Sequence, residues 1–401
     1  MAPSSPPPGD PAPADGSLPA EALAERAPLS FYLHVPFCAT RCGYCDFNTY
    51  TSAELGSAPG ASQQAYLDAV RAELDLAARI LGPREVRTIF FGGGTPTLLP
   101  SAELVGLLDA VRARFPLAVD AEITTEANPE SVDDRYLAAL TAGGFNRLSL
   151  GMQSSVGHVL AVLDRRHTPG RVAEAVRGAR AAGFGSVSLD LIYGSPGESA
   201  DDWRSSLRAA LELQPDHLSA YSLIVEPGTR LAARIRRGEL PPTDDDVHAD
   251  HYLIAEAELA AAGLDWYEVS NWARPGHECR HNLAYWRSHD WWGIGPGAHS
   301  HVGGVRWWNL RHPARYSGRL AAADSPAEAR EALTAEDRRV ERVMLELRLA
   351  DGLDLAVLTP AERQGVPAVV DAGLGSIRDG RLRLGLQGRL LADGIVRDLL
   401  G

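Results

Sequence analysis

The chain has 401 residues, 45% of them hydrophobic, and a formal charge of -13. That length supports a large core with smaller appended units, and that charge excludes a general affinity for nucleic-acid phosphates or anionic membranes. All 39 basic side chains are Arg, which excludes a pyridoxal phosphate Schiff base and a phosphate-binding loop ending in Gly-Lys-Ser/Thr, so GGGTPT at 92–97 is no such loop.

Residues 1–29 are rich in Pro, Ala and Ser, lack a basic start and an apolar stretch, and are expected to form a disordered tail rather than a secretory signal. From residue 30 to 245, short apolar runs alternate with longer helical periods. The predicted strands are FYLHV (31–35), VRTIFF (86–91), AEITTEA (121–127), RLSLGMQ (147–153), SVSLDLIYG (186–194) and HLSAYSLI (217–224). Between them, AYLDAVRAELDLAARIL, AELVGLLDAVRARF and RVAEAVRGARAAGF place apolar residues at helical spacing. Six βα units in series predict an α/β fold with a parallel sheet, curled into a partial or full barrel whose reactive groups collect at the carboxyl ends of the strands. A cysteine loop, GGGTPT, Glu126, Gln153 and Asp190 fall at or near those ends in five successive strands.

Residues 246–330 read as an α/β extension. It contains a helix, then DWYEVSNWA and the tract after it, with seven of the eight Trp within 266–308 and six of the twelve His within 277–312. Residues 331–401 read as a helix followed by a hairpin around RDGRLRLGL, a winged-helix-like module. Its twelve acidic residues against ten Arg suit packing over the barrel better than DNA. No apolar run reaches the length of a membrane span.

Cys38, Cys42 and Cys45 form C-x3-C-x2-C in a loop flanked by Tyr32, His34, Tyr44 and Phe47. Four cysteines in a chain this long predict a reducing, cytoplasmic setting rather than a disulfide framework. Clustered thiolates select zinc or iron-sulfur. Zinc in a closed four-ligand site would need Cys279 as well, whereas a [4Fe-4S] cluster on three thiolates leaves one iron for an exchangeable ligand such as S-adenosylmethionine.

The C-x3-C-x2-C spacing, with Tyr44 before the last cysteine, resembles the radical S-adenosylmethionine (radical SAM) superfamily. YLHVPFC, CDF, FFGGGTPT, GMQS, DLIYGSPGE and HNLAYW together resemble the oxygen-independent coproporphyrinogen III oxidase family over residues 31 to roughly 310. The resemblance implies that Cys38, Cys42 and Cys45 ligate the cluster. It implies that Tyr32, Tyr44, Gly93, Gly94, Thr95, Glu126, Gln153, Arg165 and Asp190 line the S-adenosylmethionine pocket. Read singly, Arg165 is equally a solvated helix residue and Asp190 a buried acceptor for a loop backbone.

Members of that family that decarboxylate coproporphyrinogen III carry a further cysteine two places after the third ligand, where this chain has Phe47. The departure resembles the HemW branch of heme chaperones, and HNLAYW resembles that branch's HNxxYW heme motif. The resemblance implies heme binding by His281, Asn282, Tyr285 and Trp286, with His281 as iron ligand. Arg280 and Arg287 flank the motif for propionates, and Trp291, Trp292, Trp307 and Trp308 extend the aromatic platform. The bland alternative makes the aromatics core and the histidines satisfied surface or capping residues. His277, His299 and His301 are weaker ligand candidates, and Cys279 is expected to do nothing. GIGPGA at 293–298 opens no helix and is not expected to be a dinucleotide site.

The expected function is a heme chaperone holding a [4Fe-4S] cluster, S-adenosylmethionine and heme, and passing heme to acceptor apoproteins, respiratory enzymes among the candidates. A homodimer is a candidate assembly. Coproporphyrinogen III decarboxylation, radical methylation and a zinc-stapled scaffold are the rival readings.

Overall fold

The computed structural model describes residues 9–56, 60–165, 168 and 170–401. Its main sheet contains β1 (Asp10–Pro11), β2 (Leu29–Val35), β3 (Val86–Gly93), β4 (Leu117–Ala127), β5 (Arg147–Gln153), β6 (Ser186–Tyr193), β7 (His217–Ser222), β8 (Asp265–Glu268), β9 (Asn271–Ala273), β10 (Asp290–Ile294), β11 (His299–Val302), β12 (Val305–Asn309) and β13 (Ala327–Ala332). The order is β1-β13-β12-β11-β10-β2-β3-β4-β5-β6-β7-β9-β8. Strands β2 to β7 are mutually parallel, as the six predicted runs require. The sheet curls as a partial barrel, because β2 and β7 pair with extension strands instead of each other.

The connecting helices follow from apolar spacing plus explicit end signals. Gln63–Leu81 starts where Ser62 Oγ accepts from Ala65 N at 3.1 Å and stops at Gly82, whose φ of 63° suits only glycine without strain. Ala200–Glu212 opens with a Ser199/Asp202 capping box. One hydrophobic cluster joins these helices, the parallel strands and the extension, from Ala22 and Phe31 to Trp292 and Trp307.

The extension is therefore no separate body. Strand β10 pairs in parallel with β2, in the register Trp291↔Ser30 and Trp292↔Phe31, and the β8–β9 hairpin extends the opposite edge through β7. Residues 331–401 contribute the end of β13, the helix Ala335–Glu346, and a three-stranded sheet of β14 (Leu353–Asp354), β15 (Gly375–Arg378) and β16 (Arg381–Leu384) in the order β14-β16-β15. That module has its own apolar cluster, including Val343, Leu347, Leu382 and Val396.

The N-terminal expectation is corrected from residue 9 onward; residues 1–8 lie outside the described residues. Strand β1 pairs with β13 through Asp10↔Arg330, and Ala20–Ala24 forms a helical turn that buries Ala22. A Pro-rich segment gains order here because a sheet edge supplies the backbone partners that its own sequence does not.

Glu73, in the helix Gln63–Leu81, anchors the extension from below. Its fully buried carboxylate accepts from Tyr316 Oη at 2.6 Å, Asn309 Nδ2 at 2.7 Å, Gly295 N at 2.9 Å and Trp292 Nε1 at 3.4 Å. Removing it strands several buried donors, each costing about 1–3 kcal/mol. Glu73→Ala is expected to lower the unfolding free energy by about 3 kcal/mol or more, read from chemical denaturation; a loss within about 0.5 kcal/mol, the range of an ordinary surface change, would contradict this role.

Candidate functional site

The carboxyl ends of the parallel strands open into a cavity of about 1880 Å³. Cys38, Cys42 and Cys45 border it on the loop after β2, and Tyr32, Tyr44, Gly93, Gly94, Thr95, Glu126, Gln153, Arg165 and Asp190 border it from the loop and from β2 to β6 and their connections. Asn282, Tyr285 and Trp286 border the same cavity. His281 does not.

The cysteine loop is held at its base by the glycine stretch. Gly94 N donates to Val35 O at 2.8 Å, Thr95 N to Phe37 O at 2.8 Å, and Cys38 N to Tyr50 O at 3.0 Å. Only a residue without a Cβ fits there: a Cβ on Gly94 would lie 2.4 Å from Phe37 O and 3.0 Å from Cys38 Sγ. Across the loop, Arg165 Nη1 reaches Cys42 Sγ at 3.5 Å and Nη2 donates to Gly151 O at 3.2 Å. Burial raises the Cys38 thiol and pushes Cys45 up to about 11, so a metal held here would have to displace their protons.

Cys279 stands apart. It is buried beside Tyr267, its sulfur 3.7 Å from Glu122 Oε1, and does not border the cavity. A closed four-thiolate zinc site thus lacks its fourth member. Three thiols on one loop, facing a roomy cavity, fit a cluster with one open iron.

The donors and acceptors beyond the thiols fit a polar, cationic ligand. Burial pushes Glu126 up to about 8, with the Asp190 charge adding and the Gly93 N–H, donating at 3.1 Å, opposing. Burial also raises Asp190, against hydrogen bonds from Ser219 and Ser149, the latter at 2.8 Å. Gln153 takes a φ of 65°, rare for a residue with a side chain. Its Oε1, like Arg165 Nε, is buried without a hydrogen-bond partner among the described residues, the condition expected of groups awaiting a ligand.

The predicted heme motif forms the helix Arg280–Trp286. Glu122, on β4, supplies its missing cap by accepting from Arg280 N at 3.1 Å and His281 N at 2.9 Å. His281 and Tyr285 share a face as their spacing predicts, Nε2 to Oη at 2.9 Å. His281 itself is 1% exposed, and its Nδ1 is engaged with Thr88 Oγ1 at 2.7 Å, so in this structure the imidazole faces the interior rather than the cavity. Arg280 and Arg287 are likewise spent elsewhere, on Asp120 at 2.7 Å and Asp351 at 2.6 Å. His277 is off the cavity, and His301 is buried with Nδ1 facing His289 O at 3.2 Å, whereas His299 borders the cavity.

The tryptophans split by strand alternation. Trp291 and Trp308 border the cavity, while Trp292 and Trp307 pack edge to face at 4.8 Å in the core, so only half of the expected platform exists. GIGPGA ends β10 and forms the turn into β11, with no helix following. Sequence reasoning passed over Asn48, whose Nδ2 donates to Pro296 O at 2.9 Å and Arg311 O at 2.8 Å, tying this turn to the cysteine loop. It also passed over Glu268 and Asn271, whose polar side chains in the short hairpin gave no distinguishing signal, and Leu345 from the C-terminal module.

A family model described as the Radical SAM superfamily matches residues 32–210. A protein of Mycobacterium tuberculosis named Heme chaperone HemW is 54% identical over 384 residues, which are 96% of this chain and 98% of that protein. This chain belongs to the HemW family. An Escherichia coli protein of the same name is 41% identical over 315 residues, 77% of this chain and 80% of that one. The fold matches the solved coproporphyrinogen III oxidase (HemN) of Escherichia coli, a radical SAM enzyme, with a TM-score of 0.81 at 26% identity over 94% of this chain and 92% of that one. Membership of the radical SAM superfamily implies a [4Fe-4S] cluster and S-adenosylmethionine.

Two outcomes follow from the cavity's geometry. Gly94→Ala must displace the Phe37 carbonyl and the Cys38 sulfur; after anaerobic reconstitution, iron and sulfide per chain are expected to fall severalfold, and full incorporation would refute the packing argument. His34 is held neutral by burial, its pKa lowered to about 4 from 6.5, between Tyr32 Oη and Asn48 O. The unfolded chain protonates near pH 6.5 and the folded one does not, so this contribution is complete above pH 6.5 and declines toward pH 4, by about 1.4 kcal/mol per pH unit at most. Urea unfolding of His34→Gln is expected to show a smaller acid-induced loss than the parent, and identical pH slopes would exclude it.

Proposed function

We propose that this chain is a heme chaperone: it holds a [4Fe-4S] cluster on Cys38, Cys42 and Cys45, S-adenosylmethionine against the surrounding polar residues, and heme beside Asn282, Tyr285 and Trp286, and releases heme to an acceptor apoprotein. The observation that carries this reading is the single cavity of about 1880 Å³ bordered by both sets of residues, well above the roughly 300–1,000 Å³ of an ordinary small-molecule site. The names of the relatives agree with it. When bound, the cluster and S-adenosylmethionine supply reductive sulfonium chemistry. The chain's own part is to bind, orient and shield.

Two further features support a carrier. Phe47 borders the cavity half exposed, where the decarboxylating relatives place a thiol, and Tyr221, Ile224 and Val269 continue an exposed apolar border. Such a rim suits the passage of a flat apolar macrocycle into another protein. All four cysteines are free, and among the described residues no helix is long and apolar enough to cross a membrane. A cytoplasmic setting and delivery to respiratory apoproteins, with a homodimer as the assembly, complete the proposal.

The test is transfer. Anaerobically reconstituted chain, loaded with heme and freed of excess, is expected to restore a heme-depleted acceptor enzyme, and to leave coproporphyrinogen III unchanged by mass analysis. Vinyl product and carbon dioxide would overturn the carrier reading in favour of an oxidase.

A further inference from the structure

A neutral imidazole with a nitrogen to spare is the commonest protein ligand to a metal, and it holds heme iron in many proteins. Of the histidines whose side chains are described, only His34 and His299 border the cavity. His34 is already engaged through both nitrogens, by Tyr32 Oη at 3.0 Å and by Asn48 O at 2.9 Å. His299 is not. The residue is partly exposed, and among the described residues its ring nitrogens neither make a hydrogen bond nor are sealed from solvent.

Strand register explains its place. His299 opens β11 directly opposite Trp308 on β12, and both border the cavity, while Ser300 beside it is buried and its Oγ accepts from Gly293 N at 2.8 Å. The imidazole stacks on Trp308 at 29°, with centroids 6.0 Å apart. Trp291 Nε1 donates to His299 O at 3.1 Å, and Trp291 in turn stands edge-on to Tyr285 at 4.8 Å. The imidazole thus belongs to the same aromatic wall as the motif helix. Burial, and then the Arg311 and Arg306 charges, hold its pKa below the usual histidine value and favour the neutral ring.

We propose that His299, rather than the motif histidine His281, supplies the nitrogen that binds heme iron, with Trp308 orienting its ring. The proposal rests on the heme-chaperone reading and adds the iron ligand which that reading leaves open, since Asn282, Tyr285 and Trp286 offer the macrocycle a wall but no imidazole. The Fe–N bond forms as a nitrogen lone pair enters an axial position and a bound water leaves. No proton is released and no electron changes hands. An imidazole already neutral and stacked loses little freedom on taking a ligand. His281 would first have to give up two contacts, to Thr88 Oγ1 at 2.7 Å and to Tyr285 Oη at 2.9 Å.

Hemin is titrated anaerobically into the reconstituted chain and into His299→Ala, His299→Gln and His281→Gln, each with cluster content and secondary structure verified. After reduction in the absence of S-adenosylmethionine, resonance Raman excited in the heme band reads the Fe–His stretch separately from any transfer activity. The parent is expected to show this stretch, and both substitutions of His299 are expected to abolish it and to weaken hemin binding about tenfold. Added imidazole is expected to restore nitrogen ligation in His299→Ala, which a merely structural role would not allow, and His281→Gln is expected to keep the stretch. A stretch that persists in both His299 variants, or that disappears in His281→Gln alone, overturns the assignment, as does a parent that binds heme without a nitrogen ligand. Each of these leaves the carrier reading intact. A parent that binds no hemin overturns the carrier reading and this assignment with it.

Discussion

Everything in the cavity depends on the parallel pairing of β10 with β2. The cysteines follow β2, and the aromatic tract is carried by β10 and the helix before it, so this one ladder brings together segments remote in sequence. A parallel ladder demands a long crossover and backbone that gives up water for a partner, and the burial of Phe31, Ile294 and Trp292 along the same strands compensates for that ordering. Glu73 then fixes the turn beyond β10, and Asn48 ties that turn to the cysteine loop. The cavity wall is thus braced from the helical layer below and from the cysteine loop beside it.

The electrostatics of the site follow from the burial of its ionisable side chains. Burial pushes Glu126 to about 8 and Glu268 to about 7, and it drives His34 to about 4 and His281 to about 3. Acids and bases alike are driven toward their neutral forms, so the cavity resists isolated charge while offering hydrogen-bonding groups along its length. A ligand with a sulfonium, an ammonium and a carboxylate can exchange its hydration for Glu126, Asp190, Gln153 and Arg165, two of which have buried atoms lacking partners among the described residues. The far side, made of Trp286, Trp291 and Trp308, suits a flat conjugated ring.

Much of the fold was legible in the sequence because its signals are local. Strand β5 spans the run RLSLGMQ, and the helix Gln63–Leu81 covers its amphipathic stretch, since apolar period and capping residues act within a few positions. The cysteine spacing and the glycine stretch were equally plain. What stayed hidden depended on partners distant in sequence. Nothing in DWWGI announces that it joins β2, and nothing in a Pro-rich start announces that Asp10 will meet Arg330. The surroundings of His281 were hidden for the same reason: spacing shows that it faces Tyr285, but only the folded chain shows Thr88 on its other nitrogen.

Along β10 and β12, neighbouring tryptophans point to opposite sides, Trp291 and Trp308 to the cavity and Trp292 and Trp307 to the interior. Period-two geometry makes that arrangement a matter of counting rather than of chemistry. Exchanging one aromatic for another there perturbs a single face, whereas gaining or losing one residue would trade the two faces wholesale. The length of this stretch is accordingly constrained more tightly than the identity of its aromatic residues.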